Sequence, residues 1–189
     1  MNLIFDAPIN NLSFGNVSFN LLRELYKKET KLSIFPKSEN DFTAFDKIDK
    51  DFKGWIDNAI TYRYHNLNPD LPSLNLWHLN GCEKRVSRRQ FLLTFYELDS
   101  PTFVEKKLVE MQDKVFLSNP DAVDAFHKLG CKNVKFVPMG FDPDFHVIKS
   151  DKKLVEDKVH FILMGKFEKR KHTKEVIQTW AEKYGNNNK

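Results

Sequence analysis

Gly165 and Lys166 close an apolar run, Val159-His160-Phe161-Ile162-Leu163-Met164, and open into the cations Lys169-Arg170-Lys171. Phosphoryl oxygens are held by cations and backbone N–H groups in a rigid concavity. An apolar strand, a glycine turn, cations and then a helix N-terminus supply both. Lys166 and Lys171 are therefore candidate phosphate-binding cations, although the same run also reads as a solvated basic turn. Gly15, within Ser13-Phe14-Gly15-Asn16, stands where a backbone could approach a diphosphate at the start of a helix. Without a full GxGxxG it reads equally as the glycine of an ordinary strand-to-helix turn.

Proton transfer is the second chemistry on offer. Tyr96, Glu97 and Asp99 follow a strand end, where α/β sheets place ligands. A carboxylate at Glu97 could orient a hydroxyl or act as a base. It could also be a helix N-terminal acid, because Ser100-Pro101 follows directly. His78 ends another apolar run with Asn80-Gly81 behind it, as a cleft-facing or a hydrogen-bonded structural histidine. His65, His127, His146, His160 and His172 are scattered and show no metal spacing. Asp142-Pro143-Asp144 imitates a DxD metal motif. It lies between Gly140 and the second strand-Gly-Lys unit, which makes it a turn, so no metal is implied.

The elements that must position these residues follow from periodicity. Leu3-Ile4-Phe5 predicts a short buried strand. Asn16 is the expected cap of a helix with the stripe Val17, Leu21 and Leu25, and Lys27-Lys28 suit its end. Leu32 to Phe35 predicts a second strand. Phe52, Trp55, Ile56, Ala59 and Ile60 predict a helix. Leu74, Leu76 and Trp77 lie on a strand ending at His78, and Phe91 to Phe95 on another ending at Tyr96-Glu97. Ser100-Pro101 is the expected start of a helix with the stripe Val104, Leu108 and Met111. Val115 to Leu117 forms a strand. Asn119-Pro120-Asp121 starts a helix with Val123, Phe126 and Leu129 inward and Gly130 as its stop, and Val134 to Val137 closes the unit. Alternating strands and helices imply an α/β fold, a Rossmann-like parallel sheet with helices on both faces. The expected domains are 1–148 and 149–189. The second holds one strand and one helix, with Val176, Ile177, Trp180, Ala181 and Tyr184 on the helix and Gly185 as its stop. One strand and one helix cannot bury their own faces, so a truncated second Rossmann-like domain is expected.

The 189 residues are enough for one substantial core, and 41% hydrophobic with 30% charged residues fits a globular chain. A net charge of +4, spread along the chain, favours anionic ligands weakly and does not argue for nucleic acid. Cys82 and Cys131 have no CxxC partner, as in a reduced cytoplasmic protein. Met1 to Asp6 reads as a first strand and not as a signal peptide, and no apolar run approaches membrane-spanning length.

Four stretches resemble the N-terminal domain of a family-four, retaining glycosyltransferase of the GT-B fold. Ser13 to Ser18 is similar to the family's glycine loop. Thr94-Phe95-Tyr96-Glu97 resembles its acceptor-side motif. Val115 to Pro120 with Phe126 to Gly130 resembles its strand, serine, helix, glycine segment. Val137 to Phe145, with Gly165-Lys166 and Arg170-Lys171, resembles its domain crossover and donor phosphate site. The resemblance implies a sugar transferred from a nucleotide-sugar donor with retention. Gly15, Lys166 and Lys171 would lie on the leaving diphosphate, and Ser13, Asn16 and Tyr96 on the acceptor side. It implies no cofactor beyond the donor substrate. The acceptor is a sugar, lipid or protein, and peripheral membrane contact stays open. Lys166 departs from the family's more frequent arginine, His172 from its glycine, and Tyr96 from a nearby histidine. The chain ends before the family's acidic donor motif. The rival expectations are a non-catalytic acceptor-domain fragment and another nucleotide-sugar enzyme on the same plan, such as an epimerase.

Overall fold

The computed structural model describes residues 2–43, 45, 48–142 and 160–185. The chain divides into two compact units, Met1–Pro143 and Asp144–Lys189. The expected boundary between 148 and 149 lies outside the described residues.

The first unit is built on six parallel strands: β1 (Asn2–Ala7), β2 (Lys31–Pro36), β3 (Pro72–Leu76), β4 (Arg89–Thr94), β5 (Lys114–Leu117) and β6 (Val134–Phe136). Their spatial order is β2-β1-β3-β4-β5-β6. The helices of this unit are α1 (Ser13–Lys27), α2 (Lys50–Thr61), α3 (Phe103–Glu110) and α4 (Pro120–Lys128). Two cores lie on opposite faces of the sheet. Leu3, Phe5, Ile34 and Leu76 pack with Phe19, Leu22, Phe52 and Ile56 from α1 and α2. Leu92, Val115 and Leu117 pack with Val109, Ala122 and Phe126 from α3 and α4. Parallel strands buried on both faces concentrate apolar residues within a few positions, and all six carry enough of them to be legible. Each fully buried Leu, Ile or Phe contributes roughly 1.5–3 kcal/mol.

Two helix starts differ from expectation. Asn16 does not cap α1. The helix begins at Ser13, and Asn16 already donates its N–H to the Leu12 carbonyl at 2.9 Å. The entry is shaped by Asn10 instead, whose Oδ1 accepts from the Leu12 N–H at 3.0 Å. The buried face is Phe14, Gly15, Ser18, Phe19 and Leu22, with Val17, Leu21 and Leu25 flanking it. Pro101 is not the first residue of α3. Thr102 caps that helix in a capping box with Glu105. The reciprocal bonds of a Thr-x-x-Glu box satisfy two N–H groups at once, which a proline start cannot do. Val104 and Met111 are consequently exposed, and Val109 points inward with Leu108 beside it. Asn119 caps α4 as expected, accepting from Asp121 N–H at 2.9 Å, and Gly130 takes φ +88° just beyond it. Leu129, expected inward, is partly exposed past the helix end.

In the second unit, α5 (Thr173–Tyr184) follows a short 3-10 turn at Lys169–Lys171. Residues 160–164, expected as a strand, carry no strand pairing. A strand needs a hydrogen-bonded neighbour, and none of the described residues offers one to this run. Phe161 and Met164 are 71% and 84% exposed. No described helix is long and apolar enough to cross a membrane.

Candidate functional site

The strand order reverses between β1 and β3: α1 and α2 cover one face of the sheet, α3 and α4 the other. Open α/β sheets bind ligands in the crevice that such a reversal leaves at the carboxyl ends of the strands. Here that edge carries Asp6 at the end of β1, Phe14 at the start of α1, Lys37 after β2, Trp77 and His78 after β3, and Phe95 to Glu97 after β4.

Phe14 is the buried hub. Its ring centroid lies 4.6 Å from His78, 4.7 Å from Phe95 and 5.7 Å from Trp77, with the His78 contact edge-on. Trp77 and His78 are themselves edge-on at 5.3 Å. The exposed imidazole of His78 is thus held from two sides by aromatic contacts. Its surroundings suit a proton-handling or hydrogen-bonding role toward a ligand at this edge.

Beside this cluster the Lys37 ammonium donates to Asp6 Oδ2 at 2.9 Å and lies 5.9 Å from the Trp77 ring centroid. Asp6 is 8% exposed. Burial pushes its carboxyl above the usual range, and the bond from Lys37 opposes that push. On β3, Asn75 is paired in register with Asp6 on one side and with Leu92 on the other. Its side chain is 0% exposed, and neither Nδ2 nor Oδ1 has a hydrogen-bond partner among the described residues. None of Lys37, Asn75 and Asp6 was singled out as a site residue from sequence. Asp6 was visible as an acid ending an apolar run, but its meeting with residues 37 and 75 depends on sheet register.

The other expected site residues lie on α1, in the loop after β4 and in the second unit. Gly15 is buried, and a Cβ there would come within 2.1 Å of the Asn10 carbonyl oxygen and 2.6 Å of its nitrogen. The close backbone approach it permits is to the preceding loop. Ser13 is exposed at the start of α1, and Asn16 is half-buried one turn in, its carbonyl accepting from Asn20 Nδ2 at 3.1 Å. Tyr96 turns into the second core, edge-on to Phe126 at 5.0 Å, and its hydroxyl donates to Glu105 Oε2 at 3.1 Å. Burial, together with the Glu105 carboxylate, raises its phenol to about 12. Tyr96 thereby braces α3. Glu97 is exposed in the loop beyond it and makes no ion pair among the described residues.

Lys166 and Lys171 belong to the second unit and are both exposed. Gly165 takes φ +144°, a conformation that favours glycine. Arg170 Nε pairs with Glu168 Oε2 at 2.9 Å, which withdraws the middle cation of the run. His172 precedes α5 with φ +50° and gives it no side-chain cap, so the first-turn N–H groups have no capping acceptor from that residue. Among the described residues, no group of three His, Cys, Asp or Glu could hold a metal ion. A cavity of about 370 Å³ opens at the amino edge of the sheet, lined by Asn2, Lys31, Ser33, Trp55, Asn58 and Tyr62. It carries none of the carboxyl-edge chemistry. No family model, curated protein or solved structure gives a significant match to the chain.

Proposed function

We propose that the chain is the acceptor-side domain, with the first segment of the donor domain, of a retaining GT-B-type glycosyltransferase. The enzyme would move a sugar from a nucleotide donor to an acceptor hydroxyl. The observation that carries the proposal is the carboxyl edge of the sheet at the β1/β3 reversal, where His78 stands exposed against the Phe14 aromatic hub. In sequence, the motif resemblance to the family supports it. In mechanism, His78 and Glu97 are the groups available to orient an acceptor hydroxyl or take its proton. Gly165, Lys166, Lys171 and the α5 N-terminus would stabilise the leaving diphosphate electrostatically. The exposed apolar side chains of Phe161, Ile162, Val176 and Trp180 favour a donor domain that needs further elements to cover them.

The test incubates the protein as its gene encodes it with a panel of nucleotide sugars and glycoside acceptors, read by mass spectrometry. A hexose added to an acceptor, with the donor's anomeric configuration and strongly reduced in His78→Ala, is expected. An isomerised nucleotide sugar without any adduct would instead identify an epimerase. Absence of both nucleotide-sugar binding and transfer would sink the proposal.

A further inference from the structure

We propose that Arg23 and Asp142 form a clasp that fastens the chain leaving β6 onto the flank of α1, so that the first unit ends against that helix and not at the edge of its sheet. Arg23 Nη1 donates to Asp142 Oδ2 at 3.0 Å, across 119 positions of sequence. The two side chains are 28% and 18% exposed, so most of the pair is shielded from water. The inference concerns the first unit alone and stands whatever reaction the protein carries out.

The topology gives this contact its consequence. β6 is the last strand at one end of the sheet, whereas α1 joins β1 to β2 at the other end. The Val137 N–H still donates to the Leu117 carbonyl at 2.9 Å, which carries the β5–β6 pairing one residue further. By Asp142 the chain has turned back from the sheet edge to α1. The segment between buries little, with Met139 46% and Phe141 70% exposed. Apolar contact therefore does little to hold it, and the charged hydrogen bond at its end matters more. Arg23 is prepared for this on its own helix. Its Nη1 also donates to Asn20 Oδ1 at 3.2 Å, and Asn20 Nδ2 donates to the Asn16 carbonyl at 3.1 Å. A guanidinium already held on one side gives up less rotamer freedom on pairing, so this pair is worth more than an exposed one. The Asp142-Pro143-Asp144 sequence, which imitates a metal motif, thus has its first carboxylate on a guanidinium.

Limited chymotrypsin digestion of the folded 189-residue chain tests this, with the fragments read by mass spectrometry. Arg23→Gln changes nothing in the sequence being cut. It should nevertheless speed cleavage after Met139 and Phe141 by about tenfold, the scale of one charged hydrogen bond. Asp142→Asn should do the same after Met139. The exchanged pair, Arg23→Asp with Asp142→Arg, should bring cleavage after Met139 back to within about threefold of the parent rate. Cleavage within β1, β3 and β4 should stay at the parent rate in every variant. The proposal is overturned if Arg23→Gln is cut like the parent chain or if the exchanged pair is cut like the single variants. It is also overturned if the strands are cut faster to the same degree, since that is a general loosening of the fold.

Discussion

Tyr96 shows how a residue just past the carboxyl edge of the sheet can serve the core. Its hydroxyl reaches Glu105, the same carboxylate that accepts from Thr102 N–H at 2.7 Å in the α3 capping box. Tyr96→Phe should cost about 1 kcal/mol, the usual worth of one hydrogen bond, measured by urea unfolding. The phenol's folded value of about 12 lies above its unfolded value, so the stabilisation it gives is complete below the unfolded value. It is lost as pH rises through the folded one. The parent chain should therefore lose stability between roughly pH 10 and 12 in a way that Tyr96→Phe does not. Cys82 is 0% exposed, and burial raises its thiol to about 11. It should resist iodoacetamide at pH 8 until the first unit unfolds, since the thiolate is the reactive form. In the second unit, Lys166→Ala and Lys171→Ala should each weaken nucleoside diphosphate binding by roughly 1.5–3 kcal/mol, the scale of a charged hydrogen bond. Lys169→Ala should do little. Titration calorimetry of the encoded protein measures all three, and an equal loss for Lys169→Ala would reduce the run to a diffuse basic surface.

At the scale of elements, Gly15 belongs to the packing of α1 on its entry loop. Gly15→Ala would drive a methyl into the Asn10 backbone, and overpacking of this kind costs about 1–3 kcal/mol. Thermal melts should show the loss, with nucleotide affinity unchanged in molecules that remain folded. The strands were legible because each gathers two or more apolar residues within a few positions, even where β3 interleaves the buried Ser73 and Asn75. The helix starts were less so, because several residues near each start can cap. Asn16 resembles a cap by type, yet the Asn10 side chain already turns the chain three residues before Ser13. Thr102 and Glu105 stood at capping-box spacing, and that pattern outweighs Ser100-Pro101. The phosphate-like run could be read from consecutive residues. The pairing of Lys37 with Asp6, and of Asp6 with Asn75 in the sheet, could not, because residues 6, 37 and 75 come together only through parallel register and a loop, neither of which leaves a local signal.

For the whole molecule, the two units differ in how well their apolar groups are covered. The first has a core on each face of its sheet. In the second, Val176, Ile177, Trp180 and Tyr184 of α5 are 41–47% exposed, and the Trp180 ring lies tilted against Phe161 and Tyr184 with centroids 4.6 Å apart in each pair. Local stability follows buried apolar contact. Amides of Thr173–Tyr184 should exchange orders of magnitude faster than those of β1, β3 and β4, as read by hydrogen-exchange mass spectrometry. Equal protection of the two units in a monomer would contradict this. The 189-residue chain by itself should also give no measurable sugar transfer, because the donor pocket of the proposed enzyme needs groups from both domains. Robust turnover by the isolated chain would overturn that expectation.

The strand order also sets a sequence of assembly. β1 is flanked by β2 and β3, and every strand from β3 to β6 adds to an edge already present. A chain emerging from the ribosome can therefore extend its sheet in the order in which it is made, without opening pairs formed earlier. The two ends of the first unit are unequal in consequence. Removing β6 trims one edge strand of three residues, Val134–Phe136, whereas removing β1 separates β2 from the rest of the sheet. A short N-terminal deletion is then far more damaging to folding than a deletion that stops after α4, although both take away a single strand.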